Sequence, residues 1–126
     1  MSKKTSVEKI KWLKEPEDHD YPAAASYLSL IFTEKEASTF VERLKRAVVA
    51  EFKAKDVFRA LRLPLLDRNN YHVKKDMKRI VGGKSLSPVL LVRDSKNGVV
   101  IIADGYHRMC AAYQFDEDVL VPCKIV

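Results

Sequence analysis

No run of apolar residues in this chain approaches the roughly 18 that a membrane-spanning helix requires, so a membrane span is not expected. Cysteine is scarce, with two in 126 residues. Two are too few for a disulfide scaffold, and Cys110 and Cys123 lack the spacing of a zinc site. Both read as small buried apolar residues. The opening MSKKTSVEKIKWLKEPEDHDYP holds no apolar leader core, so no secretory signal is expected. These absences point to a cytosolic protein without membrane contact. Internal repeats and low-complexity segments are also missing. Asp18, His19 and Asp20 are adjacent and have no obvious distant partner to complete a metal shell, so no metal site is expected.

What is present suits one domain of 126 residues with 47% apolar content. The net charge of +6 is uneven. Residues 1–40 hold six Lys/Arg against seven Asp/Glu, residues 41–84 hold thirteen against five, and residues 85–126 hold four against five. The basic excess is thus a property of the middle third. It reads either as a solvated helical surface or as an electrostatic footprint for a polyanion.

Taken in order, residues 1–6 are polar and expected to fray. Val7, Ile10, Trp12 and Leu13 form a short amphipathic segment. Pro22 suits the first turn of a helix reaching about Phe32. Its alanines with Tyr27, Leu28, Leu30 and Ile31 predict a largely buried element. Thr33 and Glu36 have capping-box spacing and start a second helix to about Ala47, burying Ala37, Phe40, Val41 and Leu44. Two helices joined this closely predict a hairpin. Val48–Lys53 reads as a short strand and Ala54 to about Arg62 as a helix stopped by Pro64. Asn70 caps a helix to about Val81, ended by Gly82–Gly83. On it His72, Lys75 and Arg79 fall near one face, with Lys74 and Lys78 beside them. This is the best candidate face for nucleic acid, through salt-sensitive phosphate contacts. Ser85–Arg93 is a strand, Asn97–Gly98 a hairpin turn, and Val99–Ala103 pairs back on Val89–Val92. The terminal strand Val119–Val126 contains Pro122, which predicts an edge position.

The most informative stretch is Val99–Phe115, VVIIADGYHRMCAAYQF. It reads as a buried strand, a tight turn at Gly105, and a helix burying Met109, Ala112 and Tyr113. Asp104, Gly105, Tyr106, His107 and Arg108 therefore stand at a strand-to-helix junction. A helix start offers unpaired N–H groups to an anion such as phosphate, and Arg108 adds a fork of donors. The alternative for Arg108 is a structural salt bridge with Asp104. Asp104 is either a helix cap or a base or metal holder in phosphoryl transfer. His107 contacts phosphate or supports Arg108, and Tyr106 either stacks on a base as part of the nucleotide site or packs, with packing the favoured reading. Lys53, Lys55 and Arg59 are candidates to reach phosphate from the preceding element.

Gly105, Arg108, Ala111 and Ala112, following an Asn-Gly hairpin, resemble the Gly-x-x-Arg-x-x-Ala-Ala box of the ParB/sulfiredoxin superfamily. The resemblance covers roughly residues 48–126. It implies an α+β fold, a small mixed sheet packed with helices, here preceded by the N-terminal helical hairpin. It also implies a nucleotide (ATP, ADP or CTP), with Mg2+ where a triphosphate is bound, held at the Asp104–Arg108 junction. Asp104 and His107 would be the catalytic candidates for NTPase or phosphotransferase activity. A second acid would be needed for transfer, with Glu51 and Asp56 as candidates. Sulfiredoxins carry a cysteine where this chain has Tyr106, so sulfinic-acid repair is not expected. The chain ends at Val126, so the DNA-reading domain of ParB proteins is not expected either. Alanine at Arg108 is expected to abolish nucleotide binding without harming the fold. The alternative reading is a non-catalytic DNA-associated protein using residues 41–84. Expected partners are therefore nucleotide, DNA in the alternative, and a second copy of the chain.

Overall fold

The computed structural model describes residues 9–126, so Val7 and the polar start lie outside the described residues. The chain is α+β. Among those residues the order is α1 (Asp20–Leu28), α2 (Glu34–Arg46), β1 (Ala50–Lys53), α3 (Ala54–Leu61), α4 (Tyr71–Val81), β2 (Val89–Asp94), β3 (Val99–Asp104), α5 (Tyr106–Phe115) and β4 (Leu120–Ile125). No helix among them is long and apolar enough to cross a membrane.

Local chemistry sets the helix ends. The Thr33 hydroxyl accepts from the Glu36 N–H at 3.1 Å, and Glu36 Oε1 accepts from the Thr33 N–H at 2.9 Å, a complete capping box. Asn70 Oδ1 accepts from the N–H groups of His72 and Val73, starting α4. Gly83, at φ +72°, lets the chain leave α4, with Lys84 N–H donating to Arg79 C=O at 2.9 Å.

The four strands run in the order β1-β4-β2-β3. β2–β3 and β1–β4 pair antiparallel, while β2–β4 pair parallel. The sheet is mixed, as expected, but β4 is an inner strand, which corrects the edge position inferred from Pro122. Proline is tolerated because the parallel ladder with β2 begins one residue later, at Val89↔Cys123. The N–H that Pro122 lacks falls outside that ladder. The edge strands are β1 and β3.

β2 is buried on both faces. Leu90 and Val92 join Ala103 in packing against Ala24, Leu28, Ala37, Val41 and Leu44 of the α1–α2 pair. Val89 and Leu91 join Ile102, Val121 and Cys123 in packing against α3, α4 and α5. The result is three layers, helical pair, sheet and three helices, as period-two alternation in a doubly covered strand requires. Ile10 is buried in the second cluster, and Trp12 bridges Leu86 in parallel.

α1 departs from the expectation of a largely buried helix. It ends at Leu28, and only Asp20, Ala24 and Leu28 are buried, while Tyr27, Leu30 and Ile31 are exposed. The alanines give helix propensity, but one face alone meets α2 and β3. In α2, Ala37, Val41 and Leu44 are buried as expected and Phe40 is half-buried. Both cysteines are free and buried. Burial pushes the Cys123 thiol up to about 12, so it behaves as an apolar residue.

Candidate functional site

The junction between β3 and α5 is built on close backbone contact. A register shift between Leu90 and Leu91 leaves Ala103 as an extra residue in β3, just before the turn. Gly105 follows at φ +111°. A Cβ at Gly105 would lie 2.0 Å from Val89 Cγ1, so only glycine lets the turn rest on β2. The first bond of α5 runs from Met109 N–H to Gly105 C=O at 2.9 Å. Gly105 is the N-cap, and no side chain caps the helix. The idea that Asp104 caps α5 is thereby corrected. Its carboxylate turns to Arg108 instead, leaving the first-turn N–H groups without a side-chain acceptor.

Arg108 works inward. Its Nε donates to Ser87 C=O at 2.9 Å, and its Nη2 donates to Pro88 C=O at 3.3 Å and to Asp104 Oδ2 at 3.1 Å. The salt bridge is largely buried. The guanidinium therefore fastens the start of α5 to the residues leading into β2. An alanine there would strip three acceptors of their donor, so the fold is not expected to be indifferent to it.

Behind Asp104 lies a buried acid, Asp20, which nothing in the sequence placed at the junction. Asp20, the first residue of α1, accepts hydrogen bonds from the Ser87 hydroxyl and the Glu17 N–H. Burial holds the Asp104 carboxyl above its usual range. Arg108 pulls it down, and Asp20 pushes it up further. Glu17 and His19 stand beside Asp20, with His19 Nε2 3.4 Å from Asp20 Oδ1. Asp20 Oδ2 is meanwhile occupied by Ser87 and the Glu17 backbone.

α4 packs alongside α5, and the two groups of residues singled out separately in the sequence meet. One polar cleft of about 210 Å3 is lined by His72, Lys75, Asp76 and Arg79 from α4 and by Asp104, Gly105, Tyr106, His107 and Arg108 from the junction. The His72 and His107 rings lie 4.6 Å apart between centroids. Burial, then the neighbouring His72, lowers the His107 pKa, with Asp76 opposing. His107 is thus mostly neutral near pH 7, able to accept a proton or to donate one N–H. Tyr106 packs, and its hydroxyl donates to Pro64 C=O.

Asp76 is the acid the sequence reading missed in this cleft. It is buried, and its Oδ1 lies 3.5 Å from Arg79 Nη1. Burial raises its pKa against the pull of Arg79, Arg108, His107 and Lys75. The signal was available, because position 76 stands four residues after His72 and three before Arg79, on the same helical face.

Other candidates lie elsewhere. Lys55 pairs with Asp118 at 2.6 Å, and its N–H donates to Glu117 C=O, at the far end of α5 from the junction. A ten-residue helix is about 15 Å long, so Lys55 does not reach the cleft. Lys74 and Lys78 do not line it either. Arg59 pairs with Asp56 at 3.5 Å. Asp56 lines a separate cavity with Phe52, and Glu51 sits on the opposite edge strand, β1. Asp20 and Asp76, not Glu51 and Asp56, are the acids next to the junction.

No family model, curated protein or solved structure matches the chain.

Proposed function

We propose that the cleft between α4 and α5 holds the phosphates of a nucleotide. The observation that carries this reading is the convergence of His72, Lys75 and Arg79 on the uncapped start of α5. Phosphate oxygens would accept from the N–H groups of the first turn, where the helix dipole favours negative charge. Lys75 and Arg79 would supply countercharge from α4. Arg108 acts as a positioning residue, since its donors hold the turn in shape. The Gly-x-x-Arg-x-x-Ala-Ala resemblance to the ParB/sulfiredoxin superfamily supports the same ligand class, with ATP, ADP and CTP to be tried and Mg2+ accompanying a triphosphate. Asp104 and His107 are the groups on which hydrolysis or phosphoryl transfer would draw. DNA contact through residues 41–84 is the second reading, and fewer of its candidate residues meet at the junction. Lys55 and Arg59 are matched by acids, and Lys74 and Lys78 lie off the cleft.

A thermal-shift panel with ATP, ADP and CTP, with and without magnesium, tests the reading. A ligand bound only to the folded state at a hundred times its Kd stabilises by about 2.7 kcal/mol. The expected result is a midpoint rise with at least one nucleotide that shrinks in Arg79→Ala. Failure of every nucleotide to move the midpoint overturns it.

A further inference from the structure

A second cavity, of about 440 Å3, opens on the other side of the same junction. Ala23 and Tyr27 of α1 form one wall, and Leu63, just after α3, forms another. Ile102 and Ala103 of the edge strand β3 also line it, and Asp104, Gly105, Tyr106 and His107 are shared with the polar cleft. The two spaces therefore meet at one wall and differ in chemistry. The cleft is lined by charged and imidazole groups, while the second cavity is mostly apolar. Its large side chains are left uncovered, with Tyr27 at 42% and Leu63 at 40% exposure. Tyr106 fixes the shared wall, because its hydroxyl is tied to Pro64 beside Leu63. Its volume falls within the range of about 300–1,000 Å3 typical of small-molecule sites.

We infer that this second cavity seats the nucleoside half of the ligand, its base lying against Tyr27 and Leu63 while the phosphates occupy the α4–α5 cleft. The inference rests on the nucleotide reading above and adds a seat for the nucleoside and a role for the helical pair. An anion-binding cleft alone would take polyphosphate or a sugar phosphate equally well. An adjoining apolar space with tyrosine rings favours a ligand that carries a flat aromatic group next to its phosphates. The N-terminal pair is then part of the binding site, since α1 supplies the outer wall.

The test compares ATP with inorganic tripolyphosphate by isothermal titration on the full chain. Two variants accompany the wild type. Ala23→Trp fills the cavity from an exposed helical position, and Tyr27→Ala removes a ring; circular dichroism verifies folding of both. ATP is expected to bind the wild type at least about tenfold tighter than tripolyphosphate, the scale of base stacking on an aromatic side chain. Both variants should lose that advantage and keep their affinity for tripolyphosphate. Equal affinities in the wild type, or an advantage that survives in both variants, overturn the inference and leave the phosphate cleft standing. No binding of either ligand overturns the phosphate reading and this inference together.

Discussion

Gly105→Ala gives the sharpest test of how the junction is built. The added methyl would stand 2.0 Å from Val89 Cγ1, 2.9 Å from Arg108 Nη2 and 3.2 Å from Val89 Cβ. Val89 is fully buried in the central strand and cannot swing away cheaply. A backbone angle of +111° adds strain of its own for any residue with a side chain. Strained backbone costs about 1–3 kcal/mol, and forcing atoms into a packed core costs about 1–3 kcal/mol more. The expected loss is about 2–6 kcal/mol, against a total of about 5–15 kcal/mol for an ordinary domain. Urea unfolding monitored by circular dichroism should show a lower midpoint with an unchanged slope. Val89→Ala removes the struck methyls, so the double variant should lose less than the two single variants added together, by at least about 1 kcal/mol. The backbone strain would remain, keeping the double variant below wild type. A Gly105→Ala protein within about 1 kcal/mol of wild type, or a strictly additive cycle, would mean that Gly105 does not rest on Val89.

Three further outcomes follow from the same geometry. Arg108→Ala should cost about 2–4 kcal/mol in urea melts, because hydrogen bonds from a charged donor to buried acceptors are lost, and Arg108→Lys should recover little, since an ammonium cannot reproduce the fork. Asp76→Asn should tighten ATP binding several-fold by titration, because it removes the negative charge facing Lys75 and Arg79; unchanged or weaker binding would mean that phosphate does not approach α4. Stability should fall on acidification between about pH 7 and about pH 5.5 in part through His107. Its folded pKa is lowered, so the unfolded chain takes up the proton first. The fall should be shallower in His107→Asn when urea midpoints are compared at both pH values. Asp76 and Asp104 act in the opposite sense. Their folded pKa values are raised, so their contribution is present below the unfolded value near about 4 and is lost as pH rises through the folded one.

The parts legible in the sequence were those fixed by near neighbours. The Thr33–Glu36 box and the Asn70 cap each depend on a few consecutive residues and appear where expected. So do the Asn97–Gly98 turn and the β2–β3 pairing it closes. What stayed hidden depends on distant pairing. Pro122 looked like an edge marker because its cost depends on where the neighbouring ladder starts, which is a register and not a composition. α1 looked buried because apolar content does not reveal how many faces are covered. The Arg108–Asp104 salt bridge was legible as one of two alternatives, but the two other acceptors of Arg108 were not, because they are backbone carbonyls of Ser87 and Pro88, which any residue would supply. The meeting of His72, Lys75 and Arg79 with the junction needed the packing of α4 on α5, although each group was recognisable alone. Asp20 was weighed only as a metal ligand and set aside, because its hydrogen bond from Ser87 could not be seen without the fold.

The most direct measurement is a titration of 15N-labelled protein with ATP and magnesium, followed by amide chemical shifts. Saturable shifts are expected to be largest at Gly105, Tyr106, His107 and Arg108, with smaller ones along the Lys75–Arg79 face of α4 and at Tyr27. Shifts centred on Lys53, Lys55 and Arg59, or no saturable shift at the start of α5, would contradict a nucleotide site at this junction.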